Sequence, residues 1–430
     1  MNNYKTYPSY TDSELEWLGE IPDHWELVKG KWEWRKENRP VRKDDGIVTA
    51  FRDGQVTLRS NRREDGFTMA NLEHGYQGIR IGDLVIHGMD AFAGAIGVSD
   101  SDGKSTPVYS ACTPRKGASP FYFSYLLKEM SRTGWIESLA KGIRERSTEF
   151  KYPQFSILEY PIPPLPEQTA IANFLDKKST EIKEFIALKQ KTIELLKERK
   201  MAIINQAVTK GLDLTVVMKD SGIEWLGEIP KHWALKPIGT FFKERKEKNV
   251  GMKEDLVLSL SYGQVKHRVM DNNGLLPESF ETYQITYPGD IIFRLTDLQN
   301  DKKSLRNGLT TEKGIITSAY LCVYSEKSVN PDFMNLLFRI YDLKKVFYSF
   351  GGGIRQGAGY TEMRKIKVIV PTLNEQQEIL QKIKSFSFEI EEAIQTTLKE
   401  IELIKEYQQS LISEVVTGKL DVRKYITSNN

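Results

Sequence analysis

Two tryptophan-rich phrases, "LEWLGEIPDHW" at 15–25 and "IEWLGEIPKHW" at 223–233, constrain this chain more than any other feature. Trp17 and Trp225 stand 208 residues apart. The same separation relates Glu167-Gln168 in "PLPEQTAIANFLD" to Glu375-Gln376 in "PTLNEQQEIL", and Thr209 of "TKGLDL" to Thr417 of "TGKLDV". So long a period denotes a duplicated domain and not a solenoid of small repeats. A chain of 430 residues is too long for one ordinary core. It reads as two tandem units, with the phrase marking the start of each. "GDLVI" at 82–86 and "GDIIF" at 289–293 point to the same common ancestry.

The segments after Pro164 and Pro371 read as long helices. Pro166 suits a first helical turn, Asn374 is a candidate N-cap, and Gly211 and Gly418 are candidate terminators. From Glu167 to Val208 such a helix would run about 60 Å, long for covering one small domain and suited to a spacer. Heptad positions carry Leu175, Ile182, Ile186, Ile193, Leu196 and Ile203 in the first segment. They carry Ile383, Ile390, Ile394, Ile401, Ile404 and Leu411 in the second, a candidate seam between two packed helices. Lys189 and Lys200 interrupt the first seam where Thr397 and Gln408 interrupt the second, leaving the register open.

The regions at 27–160 and 235–370 diverge. Each mixes short β-rich runs with turns, and the Gly-Asp sequences read as turns into buried strands. "SPFYFSYLLKEM" and "NPDFMNLLFRIYDLKKVF" read as amphipathic helices, each behind a capping Ser or Asn followed by proline. Each region ends in a strand running into proline, "ILEYPIPPLP" and "KIKVIVPTL". The expected fold is α+β, with two tandem globular domains on long helices. The segments are 1–160, the helix 161–213, 214–370, the helix 371–424 and a tail at 425–430.

Signs of chemistry are missing. "GVSDSDGKS" places five residues between Gly97 and Gly103 where a phosphate-binding loop needs four, so it reads as a polar turn. "GGGIRQGAG" at 351–359 fits no dinucleotide fingerprint. The histidines His24, His74, His87, His232 and His267 form no metal-binding pattern. No catalytic residue, metal or cofactor is expected in this chain. Cys112 and Cys322 make no CxxC pair, as in a reduced compartment. With a polar "MNNYKTYPSY" start and no run of about 20 apolar residues, a cytoplasmic protein without membrane association is expected.

A net charge of +3 gives no chain-wide basic signature, so binding to nucleic acid must rest on local clusters. In the first unit the candidates are Arg59, Arg62 and Arg63 of "LRSNRRED", and Lys141, Arg144, Arg146 and Lys151 of "KGIRERSTEFK". In the second they are Gln264, Lys266 and Arg268 of "YGQVKHR", Arg294 after the GDIIF run, and Lys302, Lys303 and Arg306 of "NDKKSLRNG". Arg355, Gln356 and Arg364 of "GGGIRQGAGYTEMRK" complete the set. Arg and Gln on turns suit base edges, while lysines suit phosphates. Any one such cluster is also compatible with an ordinary solvated surface.

The chain resembles the specificity subunits of type I restriction–modification systems over essentially its whole length. The resemblance rests on "EWLGEIPDHW" and "EWLGEIPKHW", on "PPLPEQTAIANFLD" and "PTLNEQQEIL", and on "QAVTKGLD" and "SEVVTGKLD". It implies two target recognition domains at opposite ends of an antiparallel coiled coil, related by a pseudo-twofold axis. It also implies recognition of a bipartite, asymmetric double-stranded DNA target without catalysis by this chain. The implied partners are two methyltransferase subunits carrying S-adenosylmethionine, with restriction and translocation subunits in cutting systems. Trp17 and Trp225 are expected to pack near the helix ends or a partner. The competing readings are a methyltransferase or nuclease with a fused recognition domain, and a coiled-coil scaffold that never touches DNA.

Overall fold

A computed structural model describes residues 4–62, 74–139, 149–268, 279–296, 305–325, 328–349 and 359–425. Its main helices are α1 (Pro120–Arg132), α2 (Leu165–Lys210), α3 (Pro331–Leu343) and α4 (Leu373–Val416). Two compact units result, Met1–Lys189 with Leu398–Asn430, and Gln190–Thr397, so α2 and α4 each contribute to both.

In the first unit the strands used below are β1 (Trp34–Lys36), β2 (Val48–Ala50), β3 (Val56–Leu58), β4 (Leu84–His87), β5 (Ile96–Val98) and β6 (Tyr109–Pro114). They form an antiparallel sheet in the order β1-β6-β4-β5, and a separate hairpin, β2–β3. The apolar run of β4 is buried on both faces because successive strand side chains alternate. Leu84 and Ile86 join a core with Phe123 and Leu126 of α1, Leu175 of α2, and Leu411 and Val415 of α4. Val85 faces a smaller core with Val48, Ala50 and Val56 of the hairpin. Each such side chain withdrawn from water contributes roughly 1.5–3 kcal/mol. The sheet thus divides the helical side of the unit from the hairpin side.

The second unit repeats this plan with β7 (Phe242–Glu244), β8 (Leu258–Ser261), β9 (Gln264–His267), β10 (Ile291–Phe293), β11 (Asn307–Leu309) and β12 (Leu321–Ser325). The sheet order is β7-β12-β10-β11, beside the hairpin β8–β9. Ile291 and Phe293 join Phe333 and Phe338 of α3, Ile383 of α4 and Trp233. Ile292 faces Leu260, Ile316 and Cys322 on the hairpin side.

Ser119 and Asn330 cap α1 and α3. The Ser119 hydroxyl accepts from Tyr122 N (3.3 Å), and Asn330 Oδ1 accepts from Asp332 N (2.9 Å). At the start of α4 the expected cap is corrected: Asn374 lies inside the helix, and Thr372 caps it. Glu375 N donates to Thr372 Oγ1 (3.3 Å) and Thr372 N to Glu375 Oε2 (3.2 Å). This reciprocal pair satisfies two backbone donors at once, which Asn374 could not do from within the first turn.

Along the first unit's helices, Leu175, Ile182, Ile401 and Leu411 are buried, while Ile186 and Ile404 are half-buried. In the second unit Ile193, Ile383, Ile390 and Ile394 are buried, and Leu196 is half-buried. Ile203 is only half-buried, and its neighbour Ile204 takes the core position instead. A straight α-helix drifts about 20° per heptad, so the buried positions advance through 182, 193 and 204 and leave the seven-residue register. The two interrupting lysines reach the opposite helix: Lys189 Nζ lies 2.6 Å from Glu400, and Lys200 Nζ 3.2 Å from Glu391. Within the first unit the helices run antiparallel, since Lys189 meets Glu400 while the first turns of α2 share a core with Leu411 and Val415.

Candidate nucleic-acid interface and its frame

The repeated phrase acts through its second tryptophan. Trp25 is 4% exposed, and its indole Nε1–H donates to Glu167 Oε1 (2.9 Å) on the first turn of α2. The Tyr7 hydroxyl donates to the same oxygen (2.6 Å), and His24 Nε2 lies 2.8 Å from Glu167 Oε2. In the second unit Trp233 Nε1–H donates to Glu375 Oε1 (3.1 Å), and His232 Nε2 lies 2.8 Å from that oxygen. Thr215 stands where Tyr7 stands in the first repeat, so that position offers no tyrosine hydroxyl. Burial raises the Glu375 carboxyl, but the hydrogen bonds from His232, Trp233 and the Thr372 backbone outweigh it and hold the group below its ordinary range.

The neighbouring glutamines complete each joint. Gln168 Oε1 accepts from Ser119 N (2.9 Å) while its Nε2 donates to Pro163 O (2.9 Å). Gln376 repeats both contacts, with Asn330 N (2.7 Å) and Pro371 O (2.9 Å). Each Glu-Gln pair thus ties a long helix to the phrase and to the N-cap of the domain's own helix. The same tryptophans sit under the glycines that end the long helices. At Gly418, φ +78°, a Cβ would clash with Pro22 and press on Trp25 (3.1 Å), and at Gly211, φ +82°, it would meet Trp233 at 3.3 Å. Lys419 and Lys210 donate to Glu20 O and Glu228 O respectively, although lysine and glycine are exchanged between the two helix ends. Trp17 and Trp225 are less buried and pack locally, Trp17 stacking on Trp135 (6.3 Å between centroids) and Trp225 edge-on to Tyr341 (4.6 Å).

Among the described candidates, Arg59, Arg62, Gln264, Lys266 and Arg268 lie on or beside the hairpins. In the first unit Arg59 and Arg62 follow β3 and line a cavity of about 730 Å³ with Thr49, Phe51, His87 and Tyr109. Arg62 lies over the Phe51 ring (4.2 Å) and is bidentate to Asp53 (2.9 and 2.6 Å), so a phosphate would compete for a charge already paired. Half-buried Lys151 pairs with Glu149. In the second unit Gln264 and Lys266 stand exposed on β9, with Arg268 exposed just beyond it. Arg364 is exposed after a short helix, 5.9 Å from the Tyr360 ring, and Arg294 is half-buried.

Arg306 requires correction. It is 0% exposed, and its guanidinium donates inward to Thr296 O (2.7 Å) and the Tyr348 hydroxyl (3.3 Å). Those contacts occupy an enclosed guanidinium, which does not stand at the surface as a DNA contact would. Arg63, Lys141, Arg144, Arg146, Lys302, Lys303, Arg355 and Gln356 lie outside the described residues.

Sequence reasoning missed the role of the Gly-Asp turn. Gly82 and Gly289 take φ values of +87° and +90°. The aspartates that follow anchor arginines: Arg39 Nη2 donates to Asp83 Oδ1 (3.0 Å) and Arg245 Nη2 to Asp290 Oδ1 (2.9 Å). The recurrence of Gly-Asp was the available signal, but its arginine partners lie more than 40 residues upstream. Among the described residues no group of three His, Cys, Asp or Glu side chains could hold a metal ion, and no helix is long and apolar enough to cross a membrane.

A family profile described as the type I restriction modification DNA specificity domain matches residues 268–402. A putative type I restriction enzyme MjaX specificity subunit of Methanocaldococcus jannaschii is 23% identical, over 94% of this chain and 96% of that protein. The MjaVIII specificity subunit of the same organism is 26% identical over 70% of each. The fold is similar to the HsdS subunit of Thermoanaerobacter tengcongensis, with TM-score 0.55 and 13% identity over 93% of this chain and 98% of that one. It is similar also to a chain from a structure of type I R-M complex assembly and conformational transition, with TM-score 0.62 and 12% identity over 93% and 99%. The duplicated layout and these matches define a DNA-binding specificity protein. The chain carries the specificity domain of type I restriction–modification systems at 268–402 and is similar over nearly its whole length to their specificity subunits.

Proposed function

We propose that this subunit reads a bipartite, asymmetric double-stranded DNA target, one half through each unit, and positions two methyltransferase subunits on it. Restriction subunits join where the system also cuts. The chain carries no reaction of its own, works in the cytoplasm, and leaves the S-adenosylmethionine chemistry to its methyltransferase partners. The observation that carries this reading is the repeated Trp-His-Glu joint, kept in both units while the hairpins differ. A constant joint with diverged readers is what a shared frame bearing two specificities requires.

In the frame we propose, α2 and α4 form one antiparallel coiled coil with a pseudo-twofold axis, and their length sets the unspecified spacer. The lysine–glutamate pairs across the helices support that register. Gln264 is suited to an adenine edge and Lys266 and Arg268 to phosphates. The test is methylation mapping of DNA from cells expressing the chain with its cognate methyltransferase subunit. A split motif with methyl-adenine in both halves, lost without the chain, is expected. Methylation independent of the chain would overturn the reading.

A further inference from the structure

We infer that Tyr262 is a base-contacting, specificity-determining residue, carried into the major groove at the tip of the β8–β9 ribbon. The inference rests on the DNA-reading function proposed above. Ser261 pairs with Gln264, leaving Tyr262 and Gly263 as a two-residue turn at φ +46° and +74°. Hairpin turns with both central residues in the left-handed region favour Asn-Gly, and a bulky aromatic residue in the first position is strained. Packing does not offset that strain, because Tyr262 is 89% exposed. A strained backbone that displays a large ring to solvent points to a use outside the fold.

The ribbon is built to hold that ring in place. Arg339 of α3 donates from Nη2 to Gly263 O (2.7 Å) and to Asn307 O (2.7 Å), fixing the tip to the sheet. Leu258 and Leu260 are buried and Val265 is half-buried on the inner face. The paired positions Ser261–Gln264 and Ser259–Lys266 occupy the outer face. A two-stranded ribbon fits a major groove about 12 Å wide, with hydroxyl, amide and ammonium groups facing base edges and phosphates. The tip ring adds an apolar face suited to a thymine methyl group and a hydroxyl for hydrogen bonding.

The first unit shows that an exposed ring is not a requirement of this hairpin. Its turn runs from Phe51 to Gln55, with Phe51 N donating to Gln55 O (2.8 Å), and Phe51 lies buried beneath the Arg62 guanidinium. The two tips therefore present different chemistry, as readers of unlike half-sites must.

The test uses Tyr262→Asn and Tyr262→Gly, which remove the ring while suiting the left-handed turn. Each is co-expressed with the cognate methyltransferase, and methyl-adenine is mapped in cellular DNA. Both variants should keep one half of the wild-type motif and relax one or two adjacent positions in the other, or lose methylation at the motif by about tenfold or more. Their purified complexes should melt no lower than wild type. The same motif methylated by both variants to within about twofold of wild type would overturn the inference alone. Absence of any chain-dependent motif with the wild-type chain would overturn the DNA-reading proposal and this inference with it.

Discussion

Replacing Glu167 by Ala should damage the first unit far more than Glu375→Ala damages the second, although the two residues occupy the same place in the repeat. The Glu167 side chain is 4% exposed and serves both Tyr7 and Trp25, whereas the Glu375 side chain is 30% exposed and has no tyrosine partner. Hydrogen bonds to a charged group contribute about 1.5–3 kcal/mol each, and a buried donor left unpaired costs about 1–3 kcal/mol. Two buried donors orphaned at once place Glu167→Ala at about 3–5 kcal/mol. At the wetter site water replaces part of what is lost, and Glu375→Ala should cost about 1–2 kcal/mol. Urea titration with hydrogen exchange read separately on peptides from each unit measures both, since a chain of two units need not unfold in one step. Tyr7→Phe supplies the internal control. It should destabilise the wild type but cost little beside Glu167→Ala, because the hydroxyl has already lost its acceptor. Equal costs at Glu167 and Glu375, or strict additivity of Tyr7→Phe with Glu167→Ala, would refute the argument.

Gly418→Ala should destabilise the first unit by about 2–4 kcal/mol, through the left-handed backbone and the clash with Pro22, while Gly211→Ala should cost about 1–2 kcal/mol; thermal melting ranks them. Arg306→Ala should cost about 1–3 kcal/mol by emptying an enclosed site and removing the hydrogen bonds to Thr296 O and the Tyr348 hydroxyl, whereas Lys266→Ala should leave melting unchanged and lower the salt dependence of DNA binding by about one phosphate contact. The lowered Glu375 carboxyl stabilises the folded state fully above its unfolded value, and that stability is lost as pH falls through the lower folded value. The advantage of wild type over Glu375→Gln should therefore be full at neutral pH and vanish in strong acid, as followed by melting temperature against pH.

The duplication, the long helices, the Ser119 and Asn330 caps and the buried β4 and β10 strands were legible in the chain because each is written in spacing or local chemistry. A period of 208 residues survives divergence of everything between its markers. A capping side chain acts within three residues of itself, and an apolar run of Leu, Val and Ile bounded by a Gly-Asp turn buries both faces wherever it pairs. Candidate readers were legible only as residue type. Gln264 and Arg306 belong to equally polar stretches of sequence, yet one stands in solvent and the other is enclosed.

Tertiary structure decided the rest by joining groups distant along the chain. Trp25 meets Glu167 across 142 residues, and Trp233 meets Glu375 across the same interval. The repeated phrase is conspicuous for its tryptophans, but only packing distinguishes Trp25, enclosed between the start of one long helix and the end of the other, from Trp17 on a partly exposed stack. The substitution of Ile204 for Ile203 in the seam has the same origin, since helix twist relative to a neighbour is a property of the pair. Sequence by itself determined which elements form and that they come twice. Which polar groups are buried, and so which of them hold the frame and which remain in water, depended on three-dimensional enclosure, because removal from water requires neighbours on every side.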